Sequence, residues 1–327
     1  MAILENNYAE EGEVGLGVRE SRNYWGPKYR GGETEGGDGR GLWWSARRER
    51  LPDDGSGRPR RMVGGVEGFE VLDLERERAR EGDGENVPDG AVFGVKYQSV
   101  CIDIPQYLSF MFRRMKDTGM TVIRQEVDVS NGLEGVVKDA KRTLMENDKS
   151  IQEGDIFAVI NCTGLGARHF VGVEEAAKLF PVRGQTILVK GEATKARTYV
   201  GFGEEDEVVY VIPRPRSGTT ILGGCKQVGN WSAEVDEELN QRIVERIKGW
   251  GLAEELRMQG GAKEKGFEVI SYQVGLRPGR KGGPRVEVEK DGKVDGCWVV
   301  HSYGHGGGGY QCSSGCGERV AEIVGGL

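Results

Sequence analysis

From about residue 87 the chain alternates apolar runs with glycine- and charge-rich breaks, and the spacing of the apolar positions separates strands from helices. Ala91–Tyr97 and Met120–Ile123 read as short strands. Between them Asp103 reads as a helix N-cap, with Pro105 in the first turn. Leu108, Met111, Phe112 and Met115 follow at helical spacing until Gly119 ends the helix. Asp155–Ile160 carries an unbroken apolar run, which predicts a strand of parallel-sheet type. Arg183–Val189, Val208–Ile212 and Thr219–Leu222 read as further strands, and Leu239, Ile243, Val244 and Ile247 share one face of an amphipathic helix. Near the C-terminus the apolar run Cys297–His301 opens into Ser302-Tyr303-Gly304-His305-Gly306-Gly307-Gly308-Gly309, and a helix is predicted to begin near Gly315.

The first ninety positions have a different texture. Gly31–Gly39 and Asp53–Gly57 are typical: glycine, acid and arginine with few apolar anchors, so residues 1–86 are expected to be a poorly ordered remnant. Gly41–Trp44 and Gly68–Leu72 are its two short anchoring segments. Helix–strand alternation before residue 181 and strand-rich text from 182 to 290 predict an α/β fold in two lobes. Residues 87–181 and 291–327 form the first, and a β-rich lobe of residues 182–290 interrupts it.

Composition narrows the class. Acidic residues exceed basic ones, giving a net charge of -7, and the two are interspersed, which argues against a nucleic-acid partner. No apolar run approaches the roughly 18 residues a membrane helix needs. The first residues lack the basic flank and apolar core of a signal peptide. Six cysteines without a Cys-x-x-Cys pair, beside only three histidines, point to reduced thiols and no metal site.

Candidate chemistry lies where apolar strands end in polar groups. Arg277, in Val274-Gly275-Leu276-Arg277-Pro278, could clamp a carboxylate in bidentate fashion or pair with a local acid. Tyr210 is a phenol in an apolar strand and fits a core role equally well. Asn161-Cys162-Thr163-Gly164 closes a parallel strand, where open α/β sheets bind ligands, but a ligand-free turn has the same composition. His301 and His305 read equally as loop anchors or as catalysts. Five glycines around His305 bare the backbone before a helix N-terminus, an arrangement that presents N–H groups to an anionic or electron-rich ligand. A solvent-exposed loop is the alternative.

In sequence order the blocks are Asn161–Ala167, Pro181–Gln185, Tyr210–Pro215, Leu222–Gly224, Gly229–Trp231, Val274–Pro278 and Val300–Gly304. Together they resemble the D-amino-acid oxidase family, especially its fungal members, from about residue 87 to the end. The resemblance implies FAD lying across an incomplete Rossmann-like lobe, with the β-rich lobe holding the substrate. It implies oxidative deamination of D-amino acids to 2-oxo acids, ammonia and hydrogen peroxide. The Cα hydrogen moves as hydride, oxygen is the second substrate, and no acid–base side chain is needed. It places Arg277 and Tyr210 on the substrate carboxylate, the Gly307 carbonyl on the amine and Gln311 close by. Thr163 and Gly164 fall at the adenosine half of the cofactor, and Gly304, Gly306, Gly307, Gly308, Gly309 and Tyr310 at the flavin pyrimidine.

Three departures follow from the same comparison. No apolar strand running into Gly-x-Gly-x-x-Gly opens the chain; Met1–Leu4 is expected to be too short for that strand, so the first βαβ unit is expected to be missing. Lys226 stands where D-aspartate-specific members carry an arginine, which keeps a D-aspartate oxidase-like specificity open. The chain ends Gly325-Gly326-Leu327 without a Ser-Lys-Leu address, so a peroxisomal or cytoplasmic location rests on the family. A truncated, catalytically silent homologue is the competing expectation, and a homodimer stays open.

Overall fold

The computed structural model describes the backbone of residues 2–6, 14–18 and 40–45, and residues 69–79, 87–98, 101–256 and 266–327 in full. It divides into two compact units: residues 1–29, 108–182 and 276–327, and residues 30–107 and 183–275. In chain order the strands are β1 (Ala2–Asn6), β2 (Val14–Val18), β3 (Arg40–Ser45), β4 (Glu70–Val71), β5 (Phe93–Gln98), β6 (Thr121–Arg124), β7 (Ala158–Cys162) and β8 (Leu179–Lys190). They continue with β9 (Ala196–Val200), β10 (Glu207–Arg214), β11 (Thr219–Cys225), β12 (Gln227–Val228), β13 (Val269–Arg280), β14 (Arg285–Val288) and β15 (Trp298–Tyr303). The helices are α1 (Leu74–Ala79), α2 (Ile104–Asp117), α3 (Gly132–Asn147), α4 (Val173–Ala176), α5 (Glu237–Gly249) and α6 (Gly309–Gly325).

The first unit is built on a six-stranded sheet in the order β14-β15-β7-β1-β2-β6. Its centre is parallel: β7 lies between β1 and β15 and runs with both. Outside that trio β2 and β14 are antiparallel to their neighbours. A strand does form at the start of the chain, Ala2–Asn6, but it does not open the βαβ unit that the sequence was expected to lack. Five residues are an ordinary strand length, and pairing on both edges satisfies the backbone of Ala2–Asn6. No crossover helix follows, because β2 returns antiparallel after only residues 7–13, and a parallel crossover needs about a dozen residues.

Of residues 1–86, expected to be poorly ordered, 2–6, 14–18, 40–45 and 69–79 are described, and their regular structure is β1–β4 and α1. The remainder lies outside the described residues. Residues 87–107, read from the sequence with the first lobe, group with the second unit because β5 pairs with β3. Residues 276–290, read with the β-rich lobe, group with the first because β14 pairs with β15.

The helix α3 is an element the sequence reading did not name. Its Val136, Val137, Ala140 and Leu144 fall at helical spacing, and all are buried with Val159, Leu165 and Val299. Burying the valine and leucine side chains contributes roughly 1.5–3 kcal/mol each. The strand read over Asp155–Ile160 begins at Ala158. Before it Glu153–Asp155 forms a single 3₁₀ turn, in which the Gln152 N–H donates to Asp155 Oδ2 at 2.8 Å. Asp103 caps α2 as expected, accepting from the Gln106 N–H.

The second unit is a nine-stranded sheet in the order β12-β8-β11-β10-β9-β3-β5-β4, with β13 also paired to β8. Along β10, Val209 and Val211 are buried with Leu222 and with Leu239, Ile243 and Ile247 of α5. The two-residue period of a strand turns Tyr210 to the opposite face. No helix among the described residues is long and apolar enough to cross a membrane.

Candidate functional site

In the first unit two parallel strands end side by side. The register sets Asn161 of β7 directly opposite His301 of β15, and both are fully buried. The Asn161 Nδ2 group lies 3.1 Å from His301 Nδ1. Its Oδ1 accepts from the Thr163 N–H at 3.2 Å and from the Thr163 hydroxyl at 2.8 Å. That hook turns the chain sharply into a 3₁₀ segment, Gly164–His169, with Gly164 at φ +59°. A β-carbon on Gly164 would stand 3.6 Å from Cβ of Pro278.

The other strand end carries the glycine turn. Gly304 (φ +84°) and Gly306 (φ +57°) occupy the left-handed region, which glycine alone enters without strain. A β-carbon on Gly304 would fall 2.7 Å from Cβ of Arg280, so this turn lies flat along the end of β13. Gly306–Gly308 forms a 3₁₀ turn, and α6 starts at Gly309. The sequence placed that start near Gly315. Gly309 already has helical angles, and α6 continues through Gly315 and Gly317 despite the roughly 1 kcal/mol that each interior glycine costs.

Arg277 and Gly307 come together: a β-carbon on Gly307 would stand 3.7 Å from Cδ of Arg277. The half-buried guanidinium of Arg277 donates from Nη1 to the Val182 carbonyl at 3.5 Å. Thr163 and Gly164, the strand end carrying Arg277, and the loop Gly304–Gly308 thus lie together in one unit. Gly309, Tyr310 and Gln311 sit in the first turn of α6, the latter two exposed. Tyr210 belongs to the second unit. There its ring lies over Gly223 and Gly224; a β-carbon on Gly223 would fall 2.1 Å from the Tyr210 Cζ. One on Gly224 would fall 2.7 Å from the Tyr210 hydroxyl and 2.4 Å from the Gln185 carbonyl.

Behind the turns runs a buried polar network that the sequence reading missed. Glu175 takes Arg280 in bidentate fashion, at 2.6 and 3.0 Å, and accepts from the Tyr303 hydroxyl at 3.1 Å. Arg285 donates to the same hydroxyl at 3.1 Å and reaches Glu289 at 3.4 Å, and Glu289 meets His301 Nε2 at 3.0 Å. One signal was available. Arg285, Glu287 and Glu289 alternate, so a strand puts all three on one face, and Glu287 and Glu289 both pair with Arg285. His305 contacts the Cys316 thiol at 3.2 Å and takes no part in the network.

Burial raises the Glu175 pKa, but hydrogen bonds from Arg280, Lys178 and Tyr303 outweigh it and bring it to about 2 from 4.5. Burial, reinforced by the charge of Arg285, lowers the His301 pKa to about 4 from 6.5 against the opposing pull of Glu289. Both groups therefore bind fewer protons folded than unfolded, and stability falls with falling pH. The His301 contribution is lost between pH 6.5 and about 4, and that of Glu175 between pH 4.5 and about 2. Melting temperature should be level above neutrality and decline through the acid range, and Glu175→Gln should flatten the lower part of the decline. A wild-type profile level down to pH 4 would contradict this.

The two glycine turns can be tested against a flat, nucleotide-bearing cofactor. A β-carbon on Gly306 or Gly309 would meet no atom within 4 Å, so the bare backbone there faces room for a ring. The Thr163–Gly164 turn lies at the C-terminal end of a parallel strand, the usual nucleotide position in such sheets. Both features fit. The parallel crossover that ordinarily holds a pyrophosphate does not link β1 to β2.

Parallel strands ending in paired glycine turns, with an arginine against one of them, are an arrangement that suits a nucleotide-cofactor oxidoreductase, the class to which the family match assigns this chain. The chain belongs to the DAO family, the FAD-dependent oxidoreductases, whose sequence model matches residues 9–323, and FAD is its cofactor. It is 35% identical over 253 residues to a D-amino-acid oxidase of Fusarium vanettenii, an alignment covering 76% of this chain and 63% of that protein. It is 34% identical over 234 residues to a D-amino-acid oxidase of Schizosaccharomyces pombe, covering 71% of this chain and 60% of that one. A D-aspartate oxidase of Talaromyces thermophilus is 30% identical over 279 residues, covering 81% and 66%. The chain thus spans under two thirds of the length of each of these relatives. Among solved structures, glycine oxidase from Bacillus cereus shares the fold at a TM-score of 0.56 and 15% identity, over 88% of this chain and 74% of that one.

Proposed function

We propose that this protein oxidises D-amino acids with FAD and molecular oxygen, giving the 2-oxo acid, ammonia and hydrogen peroxide. The observation that carries the reading is the approach of Arg277 to Gly307, an arginine beside a bare backbone turn. Such a pair can bind an α-amino acid at both ends, the guanidinium taking the carboxylate and a carbonyl accepting from the amine. The resemblance gives Tyr210 a contact with the same carboxylate and places Gln311 near the amine. Thr163–Gly164 would hold the adenosine half of FAD, and Gly304 and Gly306–Tyr310 its flavin end. Bound FAD supplies two-electron acceptance and reoxidation by oxygen. The side chains bind and orient, and none of them has to carry a proton.

Lys226, exposed just beyond β11, and the likeness to a D-aspartate oxidase favour a second reading, preference for acidic D-amino acids. Oxygen uptake by FAD-loaded protein decides between them. Turnover of D-alanine but not L-alanine supports the oxidase, and a D-aspartate kcat/KM above that of D-alanine supports the second reading. A colourless protein that neither takes up FAD nor consumes oxygen would overturn both in favour of a silent homologue.

A further inference from the structure

The polar contacts behind the Thr163 turn can be satisfied in only one direction. The Asn161 Oδ1 already accepts from the Thr163 N–H and the Thr163 hydroxyl, so its Nδ2 group must donate to His301 Nδ1. That fixes Nδ1 as the acceptor and leaves the proton on Nε2. Nε2 in turn meets the carboxylate oxygen of Glu289, which can only accept. Arg285 donates to the same Glu289 oxygen at 3.4 Å. Asn161, Thr163 and His301 are fully buried, so flipping Asn161 would set an NH2 group against the Thr163 N–H, which can only donate, with no solvent to relieve it.

From this we infer that His301 is a positioning residue for the cofactor. Glu289 locks its tautomer, the locked ring orients Asn161, and Asn161 holds the Thr163–Gly164 turn in the shape that receives the adenosine half of FAD. The inference rests on the reading that FAD binds at this turn. Both ring nitrogens of His301 are engaged within the protein, so it acts through Asn161.

The test uses the full chain with 15N-labelled histidine, which holds only His169, His301 and His305. A long-range proton–nitrogen spectrum should show one ring held in the Nε2–H form from pH 6 to pH 8, and His301→Leu should remove that signal. FAD affinity, read from the quenching of flavin fluorescence, should fall on the order of tenfold to a hundredfold in His301→Leu. In Glu289→Gln, which keeps an acceptor for Nε2–H, it should fall by only about threefold. The KM for D-alanine of FAD-saturated Glu289→Gln should stay within about twofold of wild type, since the altered contacts lie on the cofactor side. If His301→Leu does not fold, Glu289→Gln and the wild-type spectrum carry the test. Equal FAD affinity in wild type and variants, or a mixed tautomer at His301, would overturn the inference alone. A wild-type chain that takes up no FAD would overturn the oxidase reading and the inference together.

Discussion

Arg277→Leu is expected to lower kcat/KM for D-amino acids by roughly thirtyfold to several thousandfold, the equivalent of about 2–5 kcal/mol for leaving a desolvated carboxylate without its partner. The proposed clamp depends on planar, two-pronged donation. Arg277→Lys, which keeps the charge but loses the fork, should therefore recover only part of the activity. The loss should appear mainly in KM if carboxylate binding is equal in ground and transition states, and in kcat as well if the clamp also aims Cα. FAD uptake should not change, because the turns assigned to the cofactor are formed by other residues. The measurement is steady-state oxygen consumption with D-alanine, alongside the flavin absorption spectrum. An Arg277→Leu protein with wild-type kinetics would remove the basis for the D-amino-acid assignment.

Arg183→Met is expected to be the most destabilising single change in the second unit. Arg183 is only 2% exposed. Its guanidinium donates to the Ser232 carbonyl at 3.0 Å, the Gln227 side chain at 3.0 Å, the Gln185 side chain at 2.7 Å and the Glu234 carbonyl. None of these partners is a carboxylate, so a buried cation is held entirely by oriented dipoles. Methionine has nearly the right length and no donors, and it would leave several buried acceptors unsatisfied at about 1–3 kcal/mol each, reduced where water enters. A total near 3–5 kcal/mol should lower the melting temperature by about 10 °C, and calorimetry would measure it. The effect should reach Tyr210 within the same unit, because Gln185 also carries the Asp236 N–H and Asn240, and its carbonyl borders the Gly224–Tyr210 contact. A shift of less than 2 °C would show that the acceptors find other partners.

How far the sequence could be read depended on the range of the interaction. The cap at Asp103, the apolar face of α5 and the strand around Tyr210 are set by neighbouring residues, and their periodicity carried them. The turns at Thr163 and Gly304 were legible because glycine and asparagine mark backbone that side chains would obstruct. What escaped was non-local. The strand Ala2–Asn6 is defined by a partner more than 150 residues away, and no local signal separates it from a frayed end. Likewise Glu175 looks like any surface glutamate until β13 brings Arg280 to it. Arg277 was readable as a candidate from its own neighbours, but only the family resemblance set it beside Gly307, since the thirty positions between them hold no local record of that approach.

The placement of β1, β7 and β15 bears on how the protein is made. The middle member of this parallel trio gains its second neighbour only once Trp298–Tyr303, well over a hundred residues further along the chain, has been made. Pairing across such separations is slow, and until it occurs β7 has nothing on that side to join. The nascent chain must therefore wait with that edge of β7 unfinished, and the Asn161–His301 contact behind the proposed cofactor turn forms only after the late strand has joined.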